Sequence, residues 1–311
     1  MLAGNSACRA FPAEHSKNSL DNASLLDDEA IVFLKDHRVG IGISLDAPTA
    51  AVADLTRKNW QGSGAFDKVV NVIEKLSSYP AFNVITTVTQ NNVHTLPSMV
   101  DFYHEHGVGI VMFNPVRCTQ SGGHASKPAN ELLAGHFCSA LDKTYELYQR
   151  TGNKMVVANF ANVLAGIVGP TTRRLMCDIS PCGGGRCFFA VSAHGDVFPC
   201  SEFISFAEFN GGNLFQDDLP SILASEPLMS VTNRKAESIV PCAGCAIRHY
   251  CGAPCPAEVK VVAGTLNAPS PYCEFYEEQV RYAFRVIAEG REEAYLWDGW
   301  QEESEQSFCW I

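Results

Sequence analysis

The sequence predicts an α/β protein in two parts: a parallel-sheet half, then a small cysteine-rich domain held by metal. Three observations carry this expectation. Strand-length apolar runs alternate with helical patterns as far as about residue 175. From Cys177 the texture changes to closely spaced Cys, Gly and Pro. Most of the chain's 13 cysteines then fall in residues 182–273 at spacings typical of metal ligands.

Helical periodicity marks Asp27 to Asp36, Ala65 to Ser77, Val93 to His106 and Glu131 to Tyr148. Between these lie the apolar runs VGIGISL at Val39 to Leu45, VITTV at Val84 to Val88, and IVMF at Ile110 to Phe113. Strand, helix, strand in that order implies parallel pairing. It nominates the residues past the strand ends, Ser44 to Pro48, Thr86 to Asn91 and Asn114 to Arg117, as lining a ligand crevice or as plain strand-to-helix turns. Three strands are too few to close a barrel.

In the second half the strand candidates are short, at Cys187 to Ser192 and Asp196 to Phe198. A helical pattern follows from Glu274 to Glu289, and then an acidic, aromatic tail with Trp297, Trp300 and Trp310 that either docks or stays mobile.

A formal net charge of −11 would repel a phosphate backbone, and the 23 Lys and Arg form no dense run, so nucleic acid is not an expected partner. No apolar stretch is long enough for a membrane span, and the N-terminus has no signal-peptide pattern. A soluble, cytoplasmic protein is expected. Thiols stay reduced in that compartment, so 13 cysteines in 311 residues point to metal rather than to disulfides.

The cysteines read C-x12-G-x4-C from Cys182 through Gly195 to Cys200. Then come Cys242-x2-Cys245-x5-Cys251-x3-Cys255 and, after seventeen residues, Cys273, with Cys187 inside the first segment. Eight thiolates suit two cubane clusters, each taking four. A zinc ribbon is the alternative, because Cys242-x2-Cys245 alone is also a zinc knuckle. The x5 and x3 spacings and the flanking cysteines depart from paired knuckles and favour iron–sulfur. Cys8, Cys118, Cys138 and Cys309 have no partner at ligand spacing and read as small buried hydrophobes.

This pattern resembles the seven-cysteine SPASM signature at the C-terminus of many radical S-adenosylmethionine enzymes. The first half agrees. GISLDAP at Gly42 to Pro48 looks like the GISLDGP strand end of that group, DNASLLDDEAI at Asp21 to Ile31 resembles the segment before it, and Arg57 followed by Gly62, Ser63, Gly64 and Phe66 is similar to its R…G-x-G-[ST]-F stretch. The resemblance covers about residues 20–290.

It implies a partial radical SAM (β/α) barrel at 19–175 and a SPASM auxiliary-cluster domain at 176–290, with 1–18 unmatched and 291–311 a tail. It also implies two [4Fe–4S] clusters, S-adenosylmethionine, and a peptide or protein substrate acted on by a 5′-deoxyadenosyl radical, with an electron-donor protein as a further partner. By position, one auxiliary cluster would take Cys242, Cys245, Cys251 and Cys273. The other would take Cys182, Cys200 and Cys255, with Cys187 or Cys177 as its fourth ligand or with that position open for substrate. Ser44 matches the serine that helps hold the amino-acid part of S-adenosylmethionine, and Arg57 would pair with the carboxylate of that group.

Two departures stand out. The radical motif C-x3-C-x2-C, expected before GISLDAP, is absent from this sequence, where the upstream cysteine is Cys8. A chain beginning downstream of the true domain start is the simplest expectation; it would leave a sheet edge open and favour association. An accessory or electron-transfer subunit working beside a complete enzyme is the rival. Second, sulfatase-maturating relatives place an Asp base directly after the cysteine that is Cys200 here, whereas this chain has Ser201 and then Glu202. Glu202 is a candidate base or a loop cap. Formylglycine formation is disfavoured against another side-chain modification.

Overall fold

The computed structural model describes residues 18–300 apart from 24, 59–60, 170–172, 174 and 178. Cys8, Cys309 and Trp310 lie outside the described residues.

The first half is a five-stranded parallel sheet in sequential order. Its strands are β1 (Asn18–Asp21), β2 (Gly40–Ser44), β3 (Phe82–Val88), β4 (Ile110–Pro115) and β5 (Val156–Val157). The three apolar runs are β2, β3 and β4. The outer two leave no clear signal in the sequence: β1 is four mostly polar residues, and β5 is a two-residue pair on Ile110 and Val111.

Helices cover the sheet after each strand. In α1 (Asp28–Asp36) the Asp27 side chain caps the Ala30 N–H at 2.8 Å, with Asp28 and Glu29 in the first turn and Lys35 in the last. Helix α2 (Phe66–Leu76) buries Val69, Val72, Ile73 and Leu76, an i, i+3, i+4, i+7 stripe. Asp54 Oδ1 accepts from the N–H groups of Ala65 and Phe66 at its start. A Cβ on Gly64 would sit 1.9 Å from that carboxylate, which is why a glycine stands there. Helix α3 (Leu96–Glu105) follows a 3-10 turn, Val93–Thr95. Helix α4 (Asn130–Thr151) ends at Gly152, φ 74°.

Helix α5 (Ala158–Val168) was not expected. It buries Ala158 and Phe160 through Ala165 without a break, so its buried residues run nearly all round the helix rather than along one stripe. Its Asn162, wholly buried, brackets residue 175 by accepting from the Leu175 N–H and donating to the Leu175 carbonyl, which fixes the chain just before the cysteine-rich half.

That half has little regular structure. An antiparallel pair, β6 (Ala190–Val191) and β7 (Val197–Phe198), turns at Gly195. Its apolar clusters are small, one of them built on Phe198, Phe203, Phe209, Val231 and Ala257. Helix α6 (Pro256–Ala263) follows Cys255, and α7 (Cys273–Ala288) follows the last loop. Although α7 follows the cysteines in sequence, its Phe275, Tyr282, Ala283 and Val286 belong to the core of the first half. The described part of the tail docks there too: Ala294, Tyr295 and Leu296 are buried, Trp297 and Trp300 pack against the same core, and Lys154 Nζ donates to the Leu296 carbonyl and to Asp298. Among the described residues no helix is long and apolar enough to cross a membrane.

Candidate iron–sulfur and strand-end site

Seven cysteines fall into two groups. Cys200 is within electrostatic reach of Cys255 and Cys182, and Cys255 of Cys182. All three border the Phe198–Phe203–Phe209 cluster. Cys251 is within reach of Cys273, Cys242 and Cys245, and Cys273 of Cys242 and Cys245. The chain crosses from one group to the other within three residues, between Cys251 and Cys255.

Local backbone places these thiols at turns and helix starts. Cys182 Sγ accepts from Gly184 N at 3.4 Å. Cys200 precedes a 3-10 turn, Ser201–Phe203, as its N-cap residue. Cys255 is the N-cap of α6 and Cys273 opens α7, so both stand at positive helix ends. Gly195 has φ 87° and closes the β6–β7 turn, bringing Cys200 back toward Cys182.

Burial pushes the Cys200 and Cys251 thiols up to about 12, and the Cys255 thiol up to about 11 despite the Arg117 charge beside it. Grouped, largely half-buried thiols at turns and helix starts are the donor set of a metal cluster, which removes the thiol protons and supplies the missing positive charge. The residues present therefore fit iron–sulfur ligation. Among the described residues no three His, Cys, Asp or Glu side chains converge on a single-ion position.

Cys177 and Cys187 compete for the remaining place. Burial works against the Arg117 charge, but Cys255, Glu258, Tyr276 and Cys177 outweigh it and hold that guanidinium well above its ordinary pKa. Cys177 thus shares Arg117 with Cys255. The Cys187 N–H is turned onto the Gly183 carbonyl at 2.6 Å.

At the strand ends, Ser44 is the last residue of β2, half-buried and in register with Ile85. Arg57 is held by Asp46, with Nε to Oδ2 at 2.6 Å and Nη2 to Oδ1 at 3.0 Å. Asp46 Oδ1 also accepts from the Thr87 N–H, and Asn92 Nδ2 donates to the carbonyls of Asp46 and Thr87. The loops after β2 and β3 are thereby stapled into one surface, and Arg57 meets a residue of its own chain there. That partner was missed, although Asp46 lies inside the GISLDAP run itself.

The loop after β4 reaches the cysteine-rich half one residue after another. The Val116 carbonyl accepts from Tyr272 Oη at 2.6 Å, Arg117 Nη1 donates to Glu258 Oε2 at 2.9 Å, and Cys118 N donates to Glu258 Oε1 at 3.0 Å. The Thr119 hydroxyl donates to Glu202 Oε2. Glu202 is therefore a half-buried carboxylate facing the strand ends. Glu258, wholly buried, was not expected; its place one helical turn after Cys255 was the available signal.

Residues 182–246 match the SPASM iron–sulfur cluster-binding domain. A protein of Archaeoglobus fulgidus is 41% identical over 269 residues, covering 86% of this chain and 63% of that protein. Along most of its length the chain is also similar to named maturases. The cysteine-type anaerobic sulfatase-maturating enzyme of Clostridium perfringens is 22% identical over 276 residues, covering 86% of this chain and 72% of the enzyme. The solved structure of native anSMEcpe with bound AdoMet and Cp18Cys peptide superposes with a TM-score of 0.76 at 19% identity, over 89% of this chain and 76% of that one. The fold expected from the sequence, a partial radical SAM barrel followed by a SPASM domain, is the fold observed. The chain spans less than two thirds of its Archaeoglobus relative.

Proposed function

We propose that the SPASM half holds two [4Fe–4S] clusters and that the protein takes part in radical S-adenosylmethionine modification of a peptide. The division of seven thiols into Cys182/Cys200/Cys255 and Cys242/Cys245/Cys251/Cys273, the same division the SPASM motif assigns, carries this reading. Cys177 or Cys187 completes the first set, and the shared Arg117 supports Cys177. Bound clusters of this kind supply one-electron transfer or a binding point for substrate.

This chain's own residues would then do the following. Ser44 at the mouth of β2, and Arg57 oriented by Asp46, receive the amino-acid part of S-adenosylmethionine. Glu202, between Thr119 and Cys200, is the carboxylate placed to accept a proton from a peptide lying between the strand ends and the first cluster. An electron-donor protein and a cytoplasmic setting belong to the same proposal.

The test is iron, acid-labile sulfide and the visible spectrum after anaerobic reconstitution. About eight of each per chain is expected. Zinc without sulfide would overturn the reading and make the cysteine-rich half a structural metal domain.

A further inference from the structure

Arg234 lies outside the cysteine motif, in the loop after a short helix, Glu226–Thr232, yet it is 6% exposed. Its guanidinium spends each edge on a carbonyl: Nε to Leu266 at 2.6 Å, Nη1 to Ala253 at 2.7 Å and Nη2 to Ala268 at 3.2 Å. Carbonyls fix the group in place without cancelling its charge. Of its three acceptors, Ala253 decides the matter. This residue stands between Cys251 of one thiol group and Cys255 of the other, in the left-handed region at φ 48°. Arg234 therefore holds the peptide through which the chain passes from one group to the other. The acidic groups within reach of its charge are cysteines of both sets, Cys182 and Cys255, then Cys242 and Cys251.

We propose that Arg234 is a shared counter-charge between the two cluster sites, raising the reduction potential of both clusters and allowing two anionic groups to sit side by side. The inference rests on the proposed presence of two clusters. A cluster with four thiolates carries net negative charge, and its potential follows local charge and hydrogen bonding. Two such groups close together in a poorly solvated interior repel each other, and a fixed cation between them relieves that repulsion and favours the added electron on either. Arginine suits the position because it stays charged when buried and its planar fork reaches three carbonyls at once, which an ammonium on a flexible stem does not. The same residue thus sets the relative position of the two thiol groups and their shared electrostatics.

The experiment uses the full chain, reconstituted anaerobically and titrated with dithionite while EPR follows each cluster, for wild type, Arg234→Met and Arg234→Lys. In Arg234→Met both midpoints are expected to move to more negative potential by at least tenfold in each reduction equilibrium, about 59 mV for a one-electron couple. Arg234→Lys, which keeps the charge but not the three-carbonyl fork, is expected to hold both midpoints closer to wild type than Arg234→Met does. If Arg234→Met fails to load iron while Arg234→Lys loads fully, the need for the charge is shown by the other readout. Loaded Arg234→Met with unmoved midpoints, a shift in one cluster alone, or iron lost from both variants overturns the inference. Wild-type protein without two clusters removes the functional reading beneath it, an outcome that the wild-type iron count separates from the others.

Discussion

The Arg117 guanidinium and the Glu258 carboxylate, 141 residues apart in sequence, meet at 2.9 Å and tie the end of β4 to the first turn of α6. Glu258 is wholly buried, and its other oxygen takes the Cys118 N–H, so each carboxylate oxygen has a donor. Replacing it leaves Arg117 and a buried N–H without their acceptor. Glu258→Ala is expected to cost roughly 3 kcal/mol, the low end for breaking a buried ion pair because solvent still reaches part of Arg117. Glu258→Gln, which keeps one good acceptor, should cost less. Urea unfolding of both variants checks the order; equal and small losses would mean that the pair contributes little.

The two thiol groups should empty independently. Cys245→Ala or Cys251→Ala is expected to retain about four of eight irons, and Cys200→Ala a different four, with the pair of changes retaining almost none. Iron and sulfide counts, with EPR to tell the remaining clusters apart, would show it. Complete loss of iron from any single variant would argue that the groups assemble as one unit.

Cys177 and Cys187 make opposite predictions. With Cys177 beside the Arg117 charge that Cys255 also feels, Cys177→Ala is expected to lower iron content or alter the EPR signal of the first cluster, and Cys187→Ala to leave it unchanged. The reverse result would move the ligand to Cys187. No change in either would leave that position to an outside group such as substrate.

Gly195 sits at φ 87°, where a side chain is strained, and a Cβ would meet Phe215 at 2.5 Å and Asn213 Oδ1 at 3.0 Å. Phe215 is 82% exposed and its ring can swing away, which leaves the backbone strain as the main cost. Gly195→Ala should destabilise the protein by about 1–2 kcal/mol. It should also slow cluster loading, since this turn returns Cys200 to Cys182. Thermal unfolding and reconstitution rates report the two effects separately, and an alanine variant as stable as wild type would count against this account of the glycine.

What the sequence determined by itself is local or metrical. The runs VGIGISL, VITTV and IVMF show as strands because their apolar residues are continuous, α2 and α7 show as helices because their buried residues repeat at 3.6, and the cysteine spacing announces a metal-held domain before any contact is known. Tertiary structure decided the rest. Strand β1 is too short and polar to register, and the buried residues of α5 run nearly all round the helix rather than along one stripe. The partner of Arg57 and the docking of Val116 to Thr119 on Glu258, Glu202 and Tyr272 depend on which elements pack together, as does the place of Arg234 between two thiol groups. Spacing along the chain records what one short segment must do. A contact across 141 residues is recorded only as two ordinary side chains until the fold brings a buried charge to its partner.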